Sequence, residues 1–250
     1  MTTPMAARTS LSAQDGELLA DPKQYRSLVG ALQYCTLTRP DLIFVVNEAC
    51  QFLHANTTAH WNLVKRILRY LKTTSSHGIS FCNLGHLSLT SYTDADWANC
   101  PDDRRNTSGY CVFLGSNLVS WSSTKQKVVS RSSAESEYRG LSNAATELGW
   151  IQSLLSELGL SPSSPPLLLC DNSSATYLAA NPVFHSRSKH IEIDHHFIRE
   201  KVLRKQLFVR FVPSEDQLAD ILTKPLATSR FQSLRNKLTV LPRSASLAGG

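Results

Sequence analysis

The chain has 250 residues, 42% hydrophobic and 18% charged, with 26 Lys and Arg against 20 Asp and Glu, a formal charge of +6. That is enough apolar material for one large domain or two small ones and points to a folded, soluble protein, while the basic balance favours a polyanionic partner. Apolar runs such as "DLIFVVNEAC" fall far short of the roughly 20 residues that a membrane helix requires, and "MTTPMAARTSLSAQDGELLA" lacks a basic start followed by an apolar stretch, so neither a span nor a secretory leader is expected. Six cysteines without a C-x-x-C pair read as free thiols in a reducing, intracellular compartment.

In chain order, residues 1–22 are polar and small and read as a loose arm. Tyr25, Leu28, Val29 and Leu32 share a helical face, Pro40 interrupts it, and a second apolar stretch runs from Leu42 to Phe52. In "TTAHWNLVKRILRYLK" the apolar positions are Trp61, Val64, Ile67, Leu68 and Leu71, with His60, Lys65, Arg66, Arg69 and Lys72 on the solvated surface. From Gly78 onward, short apolar runs broken by turn residues read as strands, with "LGSN" (114–117) as a hairpin corner. Ser132 and Glu135 fit a capping box opening a long helix, whose stripe runs through Tyr138, Leu141, Ala145, Leu148, Ile151, Leu155 and Leu158 until Gly159 stops it. "LLLCDN" reads as a short buried strand, Ser173 to Ala180 as a helix, "QLFVRFV" as another strand, and "EDQLADILTK" as a final helix capped by Ser214 and Gln217. If "GISFCNL" and "KVVSRSS" lie outside the sheet, the order is three strands, a helix, a strand, two helices, a strand and a helix: a mixed α/β domain.

Within that layout four acids lie in separate elements: Asp94 in the first strand, Glu137 early in the long helix, Asp171 at the end of the fourth strand and Asp220 in the last helix. Ligands of open α/β sheets bind at the carboxyl ends of strands, where Asp94 and Asp171 fall. Crowded carboxylates demand a proton or a cation, and oxygen-only donors point to Mg²⁺ or Mn²⁺ over zinc. Spacing alone does not choose between Asp94 and Asp96, which alternate onto the same strand face. Glu135 and Glu137 lie about 200° apart around a helix, so only one faces a site; Glu137 borders the core stripe and Glu135 suits the helix start.

Other chemistry finds no support. His185, His190, His195 and His196 match no zinc spacing, no histidine or serine sits in a G-x-S-x-G elbow, and no G-x-x-x-x-G-K loop occurs. Residues 185–210 carry seven Lys or Arg against three acids, a basic tract suited to a phosphate backbone. "TKQKVVSRSSAES" offers hydroxyls and cations for a sugar 2′-OH and phosphates.

"YTDADWA", "SGYCVFLG", "WSSTKQKVVSRSSAESEY", "CDNSSA", "SKHIEIDHHFIREKV" and "FVPSEDQLADILTKPL" together resemble the ribonuclease H domain of Ty1/copia-type retrotransposon polyproteins. "YRSLVGALQYCTLTRPDLIFVVNEACQF" and "HWNLVKRILRYLK" resemble the stretch joining reverse transcriptase to that domain, so the resemblance covers about residues 20–236. It implies a ribonuclease H-like fold with a mixed five-stranded sheet over 87–228, a helical reverse-transcriptase remnant over 23–86 and a tail over 229–250. It also implies Asp94, Glu137, Asp171 and Asp220 as catalytic metal ligands for two Mg²⁺ ions, Mn²⁺ being a possible substitute. Lys125, Lys127, Ser132, Ser133, Arg187, Lys189 and His190 are the candidates for holding nucleic acid. The implied reaction is hydrolysis of the RNA strand of an RNA–DNA hybrid, leaving a 3′-hydroxyl and a 5′-phosphate. The polymerase motif Y-V-D-D is absent, so copying is not expected without upstream fingers and palm; a non-catalytic nucleic-acid-binding remnant is the rival reading. Placement in cytoplasm or nucleus is expected, with an organelle left open.

Overall fold

A computed structural model describes residues 1–83, 85–180 and 192–243. Helix α1 spans Pro22–Cys35: Asp21 accepts a hydrogen bond from the Lys23 N–H, Pro22 occupies the first turn, and Tyr25, Val29 and Leu32 are buried. A short turn at Pro40–Leu42 leads into α2 (Ile43–Cys50), and α3 spans Thr58–Thr73.

The buried face of α3 differs from the expected one. It consists of His60, Leu63, Val64, Ile67 and Tyr70, while Leu68 is exposed. His60 leaves the surface because its polar atoms are matched: Nδ1 accepts the Thr57 N–H at 3.0 Å, Nε2 meets the Ser12 carbonyl at 3.1 Å, and the ring stacks on Phe52. Tyr70 is buried because its hydroxyl donates to Asp41 at 2.7 Å, and Asp41 is paired with the buried Arg39 at 2.8 Å.

Among the described residues the strands are β1 (His77–Ile79), β2 (Leu89–Asp96), β3 (Thr107–Leu114), β4 (Asn117–Lys125), β5 (Leu167–Cys170), β6 (Phe208–Phe211) and β7 (Val240–Pro242). The helices between and after them are α4 (Ser133–Glu157), α5 (Ser173–Ala180), α6 (Glu192–Leu203) and α7 (Thr228–Lys237). The main sheet has the order β4-β3-β2-β5-β6. Its first three strands form an antiparallel meander, and β5 and β6 run parallel to β2. The corner at 114–117 is the β3–β4 hairpin, where Gly115 takes φ +59°.

Successive side chains of β3 point to opposite faces, which separates two cores. Val112 joins Leu89, Tyr138, Leu141, Leu148, Ile151, Leu168 and Ile198 beneath α4, α5 and α6. Cys111 and Phe113 join Tyr25, Val29, Ile67 and Tyr70 of the N-terminal helices, together with Ile221, Leu222, Phe231 and Leu234. The N-terminal helices therefore cover one face of the sheet.

Several expected elements are different. Residues 1–22 are not loose throughout: Thr3 and Met5 are buried, and Leu18 bridges to Thr57. "KVVSRSS" contains no strand, and "GISFCNL" contributes only to β1, which pairs with β7 outside the main sheet. Leu158 is exposed although it continues the α4 stripe, because the helix has ended there and Gly159 turns the chain at φ +72°. The segment expected as one last helix is two 3-10 turns, Ser214–Asp216 and Leu218–Leu222. Gln217 breaks it at φ −70°, ψ 106°: its buried side chain accepts the Ala219 N–H at 3.1 Å and donates to the Thr93 carbonyl at 2.9 Å. The tail expected over 229–250 holds most of α7 and all of β7, because Phe231, Leu234, Leu238 and Val240 are buried in the core. Among the described residues no helix is long and apolar enough to cross a membrane.

Candidate active site

Because β2 and β5 are parallel and Thr93 lies opposite Cys170, Asp94 and Asp171 emerge side by side at the carboxyl ends of the two strands. The second turn of α4 brings Glu137 to the same place, and the 218–222 turn brings Asp220. Ligand atoms of Asp94, Asp171 and Asp220 lie within 4.8 Å of one another, as do those of Glu137, Cys170 and Asp171, so Asp171 is common to both groups. Asp94 is 2% exposed, Glu137 6% and Asp220 8%.

Each acid is held by neighbours. The Thr223 hydroxyl donates to Asp94 Oδ2. Asp171 accepts from the Ser214 hydroxyl at 2.8 Å and from Gln217 Nε2 at 3.4 Å. The Cys170 thiol points at Glu137 Oε2 at 3.8 Å. Lys224 Nζ lies 3.2 Å from Asp94 Oδ2 and 3.0 Å from Asp220 Oδ1, and Arg230 Nη2 lies 3.2 Å from Asp220 Oδ2.

The energetics are those of charges removed from water without full compensation. Burial pushes the Asp94 carboxyl up to about 6, with Lys224 opposing and Asp220 adding to it. Burial, then the charges of Asp94 and Asp171, pushes Glu137 up to about 9. Burial alone would lower Lys224, but Asp94 and Asp220 raise it above the ordinary lysine range, so it stays charged. Burial also raises the Cys170 thiol, which keeps it protonated.

The two choices left open by spacing are separated by geometry. Asp96 shares a strand face with Asp94 but belongs to neither group. Glu135 is occupied at the helix start, accepting the Arg131 N–H at 2.9 Å and pairing with Arg139 at 2.9 Å, whereas Glu137 reaches the cluster.

The candidate nucleic-acid contacts fall in different settings. The Lys125 ammonium is held within the protein by Gln51 at 2.8 Å, Cys100 Sγ at 3.0 Å and Asp103 at 3.0 Å. Lys127, Ser132 and Ser133 are exposed, and Ser132 Oγ caps α4 by accepting the Glu135 N–H at 3.2 Å. Arg187, Lys189 and His190 lie outside the described residues. His195 is buried and stacks on Tyr138.

Sequence reasoning assigned no role to Lys224, Thr223 or Arg230. Lys224 follows Asp220 by four residues, a spacing that brings side chains together on one helical turn, and this was the available signal. Arg230 comes from α7, an element that the reading placed in a tail.

A meander followed by two strands parallel to the first, with acids at the ends of β2 and β5 and a third on α4, defines a ribonuclease H-like α/β domain. That assignment rests on strand order and connection. A solved ribonuclease H domain from Mycobacterium tuberculosis aligns with 60% of this chain and 97% of its own at 13% identity and a TM-score of 0.40. No family model matches the chain. The retrovirus-related Pol polyprotein from transposon RE2 of Arabidopsis thaliana is 51% identical over 249 residues, covering 100% of this chain and 17% of that protein. The corresponding polyprotein from transposon TNT 1-94 of Nicotiana tabacum is 34% identical over 239 residues, 93% of this chain and 18% of that protein. The chain belongs to the Pol polyproteins of copia-type retrotransposons and spans about a sixth of the length of these curated relatives.

Proposed function

We propose that the chain hydrolyses the RNA strand of RNA–DNA hybrids, with Asp94, Glu137, Asp171 and Asp220 as the reactive cluster. The observation that carries this reading is the convergence of four acids, from four elements distant in sequence, at the ends of two adjacent parallel strands.

The donor set fits Mg²⁺ or Mn²⁺. Four of its five donors are carboxylates, which suit a hard cation, and the fifth is the buried Cys170 thiol. The raised Asp94 and Glu137 are the expected signs of a carboxylate cluster that calls for more positive charge. Two bound ions would supply an activated water and charge stabilisation for the departing oxygen.

The chain's own part is positioning. Asp94 is held by Thr223, Asp171 by Ser214 and Gln217, and Glu137 is carried on α4, so the carboxylates are already placed together. Lys127, Ser132 and Ser133, with Arg187, Lys189 and His190, would contact the 2′-hydroxyls and phosphates of the hybrid. Lys125 would act indirectly, by fixing the segment from Cys100 to Asp103 against α2.

The test is cleavage of a hybrid carrying a labelled RNA strand, with Mg²⁺. Products with 3′-hydroxyl and 5′-phosphate ends are expected, and Asp94→Asn and Asp171→Asn should each lower the rate by about a hundredfold or more while the variants stay folded. Binding without cutting, or cutting indifferent to both substitutions, overturns the reading.

A further inference from the structure

The two overlapping groups of the cluster are unequal. Around Asp94 and Asp220, positive charge is already in place: Lys224 Nζ spans the two carboxylates at 3.2 and 3.0 Å, and Arg230 holds the far oxygen of Asp220 at 3.2 Å. Around Glu137 and Asp171, no ion pair is present among the described residues; Glu137 meets the Cys170 thiol at 3.8 Å and the Ala95 backbone N–H, and the charge of Lys224 reaches it only as a minor influence. Lys224 is not a surface lysine that has folded over the site. Its side chain is 32% exposed, it lines a small cavity with Met5, Phe44, Ile221 and Phe231, and Pro225 follows it directly.

An ammonium at 3.2 and 3.0 Å from two carboxylates fills the space between them, so a divalent ion that drew both oxygens in to about 2.1 Å would compete with it for that space. Two cations so close together repel, and the partly desolvated surroundings weaken the screening. We infer that Lys224 is the resident counter-ion of one of two metal positions. The first divalent ion binds on the Glu137 and Asp171 side, and a second binds between Asp94 and Asp220 only when the Lys224 ammonium is displaced. This inference rests on the metal-dependent reading above and assigns Lys224 as a positioning residue for metal loading.

Calorimetric titration of the full chain with Mn²⁺, without nucleic acid, tests it. The unsubstituted protein should bind one ion, with a second at least about tenfold weaker. Lys224→Met should shrink that gap to about threefold or less, and should lower the melting temperature of the metal-free protein more than that of the Mn²⁺-saturated protein. Lys224→Gln removes the charge but keeps hydrogen bonding, and gives the same readout should the methionine variant fail to fold. Unchanged affinities in the charge-removing variant, or weakening of both sites, overturn the inference. Asp171→Asn separates the two levels, because Asp171 is common to both groups. If it abolishes Mn²⁺ binding while Lys224→Met has no effect, only the role of Lys224 fails. If Mn²⁺ binding survives Asp171→Asn, or never occurs, the metal-cluster reading fails and this inference with it.

Discussion

The two faces of the main sheet are covered in different ways. One is closed by α4, α5 and α6, elements that alternate with the strands along the chain. The other is closed by α1, α2 and α3 from before the sheet, and by the 218–222 turn and α7 from after it. Each face carries its own buried hydrophobic cluster, so the N-terminal helices are as much a part of the core as α4. The site draws on both: Glu137 comes from the first layer, while Asp220, Thr223 and Lys224 come from the second. Covering a sheet face and supplying a site residue are here done by the same segments.

The sharpest way to break this comparison is to delete residues 1–86. If the N-terminal helices complete the core, the remaining chain exposes Cys111, Phe113, Leu118 and Leu222 and loses cooperative melting, whereas deletion of a merely appended module leaves the transition intact. Thermal unfolding followed by circular dichroism, together with dye binding to exposed apolar surface, reads the difference.

A smaller effect compares the glycine at the closest approach on each face. A Cβ at Gly109 would stand 2.8 Å from Leu222 Cβ and 3.1 Å from the Ser122 carbonyl, with backbone on one side and a buried leucine on the other. Gly109→Ala should therefore cost about 1–3 kcal/mol by overpacking. It should also displace the turn that carries Asp220, lowering hybrid cleavage. At Gly140 the Cβ would meet Thr93 Oγ1 at 3.0 Å, a contact that a small shift relieves, and an alanine gains about 1 kcal/mol of helix propensity. Gly140→Ala should be nearly neutral in urea unfolding, and a larger cost there than at Gly109 would reverse the ranking of the two faces.

The smallest effect is in the seam between α2 and β4, where Glu48 lines a cleft with Asn47, Gln51 and Lys125. Burial pushes Glu48 from 4.5 up to about 7, opposed by Lys125 and a hydrogen bond from Gln51, with Asp96 adding to the rise. A carboxylate raised on folding holds its proton more tightly in the native state. Its contribution is fully present below about pH 4.5 and is lost as pH rises through about 7. The melting temperature should decline across that window, and Glu48→Gln should flatten the decline relative to the parent. An unchanged slope would mean that Glu48 ionises as freely in the folded chain as in the unfolded one.

Much of the sheet was legible because its signals are local. Alternation in β2, the "LGSN" corner and the cap at Ser132 each lie within a few residues and agree with the tertiary environment. The cluster was legible only through acids ending apolar runs and through the family resemblance, since neither β-strand spacing nor a single helix links Asp94 to Glu137, Asp171 and Asp220. What escaped depends on partners far along the chain. His60 and Tyr70 become core residues once Thr57, Ser12 and Asp41 supply their hydrogen bonds, and no hydropathy pattern contains that information. Leu218, Ile221 and Leu222 carry helical spacing, but Gln217 is drawn to the Thr93 carbonyl and the helix is lost. The spacing of Phe231 and Leu234 in α7 and of Leu238 at its end is visible in the sequence, in a stretch expected to be tail.

The pairing of β1 with β7 has a mechanical side. Three residue pairs, His77 with Pro242 through Ile79 with Val240, fasten the end of the N-terminal helical layer to the strand that follows α7. Tension applied beyond Pro242 is met first by this ribbon and transmitted to the start of the chain's first strand, and α7 slackens only when the ribbon has peeled away. Since Arg230 of α7 grips the Ser214 and Gln217 carbonyls and the Asp220 carboxylate, the ribbon acts as a strain relief between a pulled chain and the acid that it would otherwise drag from its place.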